Sequence, residues 1–219
     1  MSSTVPPASA PKPPRRRLLR EERHRQLLAV AWRLVGEEGA DALTLPRLAE
    51  AAGITKPVVY DHFGTRFGLL VALYEDFDAR QTAVMDAALA AGEPTLIDRA
   101  AVIASSYVDC VLAQGREIPG VIAALAGAPD LEKIKRDYRL AFVEKCRALL
   151  APFAEPHAIT AASLWAMLGA ADALSHAAAS GDIAAREAKD ELFATIVAMV
   201  DRHAQGTVSL APDGQTGLS

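Results

Sequence analysis

Thr55, Lys56, Tyr60 and His62 fall in one short stretch, Thr55-Lys56-Pro57-Val58-Val59-Tyr60-Asp61-His62, between Gly53 and Gly64. A hydroxyl, an ammonium, a phenol and an imidazole can all donate to phosphate oxygens, and the start of a helix adds unpaired N–H groups that favour an anion. Thr55 and Lys56, at the N-terminal end, are also placed to donate to base edges. Asp61 has the wrong sign for a phosphate, so it is expected to bond a protein group or to accept from a cytosine amino group. Arg66, a few residues on, is expected to reach a phosphate on the groove wall. Thr44, Arg47, Pro57 and Val58 complete the candidate DNA-contacting set.

Catalytic chemistry has no comparable cluster. The histidines His24, His62, His157, His176 and His203 are scattered, and Cys110 and Cys146 have no second cysteine nearby to form a CxxC pair. Neither a nucleophile with its base nor a metal-ligand spacing appears, so no enzyme activity, cofactor or metal is expected.

The elements that would carry the polar stretch are helices. Leu27, Leu28, Ala31, Leu34 and Val35 gather on one face of a helix spanning 20–38, stopped by Gly39. Thr44 can cap a second, short helix with Pro46 in its first turn and Leu45, Leu48 and Ala49 inward. Gly53 allows a positive φ, and Ile54 plugs the angle before a third short helix. That helix is expected to be capped by the Thr55 hydroxyl, with Val58, Val59 and Phe63 as apolar anchors, Val58 being counted on the outward side as well. A long fourth helix, 66–91, carries Leu69, Leu70, Leu73, Phe77 and Val84 on its apolar side. Further helical patterns cover about 96–114, 119–126, 131–153, 157–180 and 183–204.

Composition agrees with an all-α fold. The chain has 219 residues, 51% hydrophobic and 23% charged, with 45 alanines but only 13 prolines and 14 glycines, which favours helices packed through small side chains. Residues 1–66 hold 11 Lys+Arg and 7 Asp+Glu, whereas 67–219 hold 12 and 20. A basic end beside an acidic body points to a polyanion bound at one end. Residues 1–20, rich in Pro and Ser and ending in Arg15, Arg16, Arg17 and Arg20, are expected to form a disordered basic arm, and 206–219 a flexible tail. No signal-peptide core or membrane span is expected, and a reducing cytoplasm is the expected setting.

The stretch TLPRLAEAAGITKPVVYDHFGTRFGLLVALY resembles the DNA-binding signature of the tetracycline-repressor (TetR) family of bacterial transcriptional regulators. Thr44, Leu48-Ala49, Ala52-Gly53-Ile54-Thr55, Tyr60, His62-Phe63 and Leu69-Leu70 fall where that pattern has equivalent residue types. Arg66 stands where Lys is common. Gly68 replaces a polar helix former, and is expected to loosen the helix start. The resemblance implies that the cytoplasm is a bacterial one, and that the chain has an N-terminal three-helix helix-turn-helix domain over 21–77 (motif 44–63), and a C-terminal helical bundle over 78–205 that dimerises and binds a small effector.

For the effector, candidate lining residues are Tyr107, Cys110, Tyr138, Phe142, Trp165, Asp172 and His176. Asp172 and His176 lie four apart, on one helix face. For the dimer, small residues among large apolar ones on the last two helices allow a four-helix bundle between chains, with Leu164, Leu168, Phe193, Ile196 and Val200 at the interface. The expected function is a homodimeric regulator on a palindromic double-stranded operator, a repressor released by an unknown effector. An activator of the same fold, and a helical interaction or enzyme module without DNA, remain as alternatives.

Overall fold

The structure is a computed structural model that describes residues 19–126 and 129–206, with the side chains of residues 116, 117 and 129 left aside. The expected basic arm and flexible tail fall almost wholly outside the described residues. The fold is all-α: α1 (Arg20–Glu38), α2 (Leu45–Ala52), α3 (Lys56–Phe63), α4 (Arg66–Ala91), α5 (Leu96–Glu117), α6 (Pro119–Leu125), α7 (Pro129–Leu150), a 3₁₀ turn (Ala151–Phe153), α8 (Ala161–Ser180) and α9 (Ala185–Ala204).

Threonine caps open four of these helices. The hydroxyls of Thr44, Thr65, Thr95 and Thr160 each accept the backbone N–H three residues on, filling one of the donors a helix start leaves unpaired. Thr55 differs from its expected role. The Val58 N–H donates to the Thr55 backbone carbonyl at 3.1 Å and Pro57 has no N–H, so the Thr55 hydroxyl caps nothing. Gly53 takes the left-handed conformation, φ 63°, and closes α2 with its N–H on the Ala49 and Glu50 carbonyls.

Two apolar cores form. The first joins α1, α2, α3 and the first half of α4 to Ile118, Val121, Leu125 and Leu131. The second joins Met85 and Leu89 of α4 to α5, the later part of α7, α8 and α9. The boundary expected at 77–78 therefore lies inside a continuous helix. The first core also reaches past it, through α6, to which a close approach of Gly120 to Ala40 belongs: a Cβ on Gly120 would lie 3.1 Å from the Ala40 Cβ.

Three element readings change. Val84 is 63% exposed, because α4 turns its apolar side toward α5 through Met85 and Leu89 once it leaves the head. The expected helix 131–153 ends at Leu150, before Pro152, which cannot continue the hydrogen-bond ladder. The helix expected from 157 starts at Ala161, where Thr160 supplies the cap. Near this cap the buried His203 donates through Nδ1 to the Met199 carbonyl at 2.8 Å, while its Nε2 accepts from the Thr160 N–H at 3.4 Å. It thereby ties the end of α9 to the start of α8.

Candidate nucleic-acid interface and effector cavity

On α3 the apolar and polar positions separate by side. Val59 and Phe63 are buried in the head core, while Thr55, Lys56, Pro57, Val58, Tyr60 and Asp61 face solvent. Val58 is 37% exposed and Tyr60 48%. Val58 therefore does not anchor the helix. A large apolar and an aromatic group are left in water there, with no partner among the described residues, beside an ammonium and a hydroxyl.

The rim is tied to the rest of the head. Arg20 donates to the Asp61 carbonyl at 3.4 Å and lies 3.9 Å from its carboxylate, so Asp61 meets a protein cation, one of its two expected roles. His62 is half-buried beside His24, with ring centroids 5.6 Å apart, and His24 also lies 5.2 Å from Phe63. Burial, and then the neighbouring His24 and Arg20, hold the His62 pKa below the ordinary histidine value. The imidazole is therefore neutral near pH 7 and can donate one hydrogen bond without carrying a charge.

Two arginines of the expected DNA set are engaged within the head. Arg47 donates through Nε and Nη2 to both carboxylate oxygens of Glu38, and through Nη1 to Glu50 at 3.4 Å. The hydrogen bond from Arg47 lowers the Glu38 pKa, so this pair persists above the ordinary carboxylate range and is lost as pH falls through the lowered value. Arg66 donates through Nε to the Leu43 carbonyl at 2.9 Å and through Nη2 to the Ala40 carbonyl at 2.8 Å. It clamps the loop between α1 and α2 instead of pointing at a groove wall, because those two carbonyls lie within reach of one planar fork. Arg66→Ala is expected to lower stability by about 1–2 kcal/mol, the two bonds being discounted for partial exposure. Arg66→Lys should lose less, since an ammonium can still donate to one of the two carbonyls though it cannot bridge both as the planar fork does. Urea unfolding measures this. A large loss of DNA affinity at unchanged stability would return Arg66 to the phosphate contacts.

In the body a cavity of about 320 Å³ opens between α4, α5, α7 and α8. Tyr107, Cys110, Tyr138, Phe142, Asp172 and His176 all line it. Trp165 does not: it is 46% exposed and stands outside the lining. The Tyr107 hydroxyl donates to the Asp172 carboxylate at 2.5 Å, and burial together with this bond raises the Tyr107 pKa. Asp172 and His176 meet only through the backbone, His176 Nδ1 donating to the Asp172 carbonyl at 2.7 Å.

Reasoning from sequence missed the contribution of α4, namely Tyr74, Asp78, Gln81, Thr82 and Met85, and that of Lys135 and Arg139 on α7. One signal was available. Asp78 falls one position after Phe77, four after Tyr74, in a helix expected to join head and body, and that spacing puts it beside the tyrosine.

Residues 27–73 match the family model described as bacterial regulatory proteins, tetR family. A curated relative, the HTH-type transcriptional activator FasR of Mycolicibacterium smegmatis, is 37% identical over 59 residues, which is 27% of this chain and 27% of that protein. The alignment thus spans about a quarter of the relative's length. The likeness in sequence to TetR-family regulators thus lies in the head.

The fold extends the likeness over the body. The crystal structure of a TetR-family transcriptional regulator from Rhodococcus sp. superposes with a TM-score of 0.59 at 19% identity, covering 82% of this chain and 99% of that one. The multidrug binding protein EbrR, solved with imidazole, gives a TM-score of 0.55 at 22% identity, with 80% and 89% covered. At these identities the likeness is one of fold.

The residues expected at a dimer interface are mostly interior. Leu164, Leu168, Ile196 and Val200 are buried within the protomer, in the core shared by α5, α8 and α9. A side chain with no accessible surface in a single chain has nothing left to offer a second. Only Phe193 keeps partial exposure. The outer side of α8 carries instead Trp165, Ala166, Gly169 and Ala173, and that of α9 Ala194 and Ala198. Among the described residues no helix is long and apolar enough to cross a membrane.

Proposed function

We propose that the chain is a homodimeric transcriptional regulator, a repressor whose α3 enters the major groove of a palindromic operator and which a small effector releases. Residues 21–77 act as the reading head, and 78–205 hold the effector and the dimer contact. The observation that carries this is the two-sidedness of α3: Val59 and Phe63 fix it in the core while Thr55, Lys56, Pro57, Val58 and Tyr60 stand in solvent. Thr55 keeps a free hydroxyl for a base edge or phosphate. His62 supplies a neutral donor at the rim, and Thr44 a cap whose hydroxyl stays at the surface.

The second copy packs against the smooth outer faces of α8 and α9, where Ala and Gly permit close approach around Trp165. Two heads then meet half-sites about 34–36 Å apart. Release follows from shared structure. Helix α4 supplies both core side chains of the head and one wall of the cavity, so a ligand that binds better to a shifted α4 withdraws population from the DNA-competent spacing. The setting is a bacterial cytoplasm.

Selection from random double-stranded DNA, followed by gel shifts at two salt concentrations and native mass spectrometry, tests the reading. Enrichment of an inverted repeat bound by a dimer, with affinity falling steeply as salt rises, is the expected result. Failure to enrich any sequence overturns it. Activation from the same site is the second reading, favoured by the activator FasR among the relatives of the head. Transcription in vitro from a promoter bearing the selected site separates the two by sign.

A further inference from the structure

The charges around the cavity are unevenly satisfied. The Asp172 carboxylate accepts from Tyr107, and the Lys135 ammonium lies 3.2 Å from Glu132. Asp78 is different. It is half-buried on the cavity wall, and among the described residues no hydrogen bond or ion pair reaches its carboxylate. Arg139, the other cation on the wall, is exposed to water and forms no ion pair with it. A half-desolvated carboxylate without a partner is unfavourable, and a cation placed beside it relieves that.

The surfaces around Asp78 suit such a cation. Tyr74 and Tyr138 form one tilted ring pair, centroids 5.9 Å apart, and Tyr107 and Phe142 another at 5.0 Å. Aromatic faces attract cations through their quadrupoles, most strongly where water is excluded. Resting on the reading of this cavity as the effector site, we propose that the effector is a small aromatic amine or quaternary ammonium, held by Asp78 as counter-ion and by the four rings as walls. An anionic ligand would instead face two carboxylates and depend on a water-screened guanidinium and on a Lys135 ammonium already paired with Glu132. Burial raises the Asp78 pKa, in keeping with a carboxylate that has no counter-charge among the described residues.

The test is titration calorimetry of the full-length protein with three probes of similar size: benzyltrimethylammonium, benzyl alcohol and phenylacetate. The cation should bind roughly tenfold or more tightly than either of the others. Asp78→Asn should close most of that gap. The proposal is overturned if phenylacetate binds best, if the three bind alike or not at all, or if the variant leaves the gap intact. The wild-type series decides alone should the variant fail to fold. Gel shifts of the same preparation without any ligand report on the regulator reading separately, so a protein that binds its operator yet shows no preference for the cation loses only this proposal.

Discussion

Lys56→Glu is expected to weaken operator binding by about 100-fold, because each of two heads loses about 1.4 kcal/mol at its reading surface. Lys56 begins α3 and is exposed, and no ion pair or hydrogen bond within the described head engages its ammonium. Its contribution to folding is therefore small, within about 0.5 kcal/mol. Reversing the charge replaces attraction to a phosphate by repulsion in both half-sites. The dependence on salt should flatten as well, since about one counterion fewer is released per head. Gel shifts from low to moderate salt, with thermal unfolding run in parallel, measure both effects. Unchanged affinity would remove α3 from the interface, and a large drop in unfolding temperature would make Lys56 a structural residue.

Gly68→Ala is the second large effect, and its sign separates the two levels of reasoning. From sequence, alanine should stabilise this first turn of α4 by about 1 kcal/mol, since glycine is a poor helix former. The structure reverses the expectation. A Cβ at position 68 would lie 2.2 Å from the backbone carbonyl oxygen of Phe63 and 3.6 Å from the Thr65 hydroxyl. That carbonyl also accepts the Thr65 N–H at 2.6 Å, so it cannot swing aside without opening the α3–α4 corner. Because the obstacle is backbone, a net loss of about 2–3 kcal/mol is expected, lowering the unfolding midpoint by roughly 5 °C or more. Gly68 therefore does not loosen the helix start. It lets α3 meet α4 closely enough for Phe63 to enter the core. Calorimetric unfolding checks this, and a variant as stable as the parent would mean that the corner relaxes freely.

Much of the scaffold was legible because it depends on local physics. The bounds of α1 and α4, the cap at Thr44 and the left-handed turn at Gly53 follow from apolar spacing, hydroxyl geometry and the absence of a Cβ, all of which act within a few residues. The candidate cavity was partly legible for the same reason. Tyr107, Cys110, Tyr138, Phe142, Asp172 and His176 stood out as aromatic, sulfur-bearing or polar groups in apolar helices, and they converge on one space. Asp78 did not stand out, since a carboxylate four residues from an aromatic looks like any solvated helix position until the neighbouring helices close over it.

Where choice of partner decided, sequence was silent. An apolar stripe such as Leu164 and Leu168 on α8, or Ile196 and Val200 on α9, has the same spacing whether it packs inside one chain or between two. Only the placement of α5 against both helices shows that it is interior. Arg66 carries a charge that suits a phosphate equally well as the Ala40 and Leu43 carbonyls, and the course of the α1–α2 loop settles which it meets. Thr55 could cap or not, and the Val58 N–H, by bonding a carbonyl, left its hydroxyl outside. The amino-acid order thus determined that the chain is helical and that one short helix carries donors suited to DNA, because periodicity and capping are short-range. Which charges are neutralised, which apolar faces are buried and where a lone carboxylate is stranded were decided by tertiary packing, because each depends on atoms brought close by helices distant in the chain.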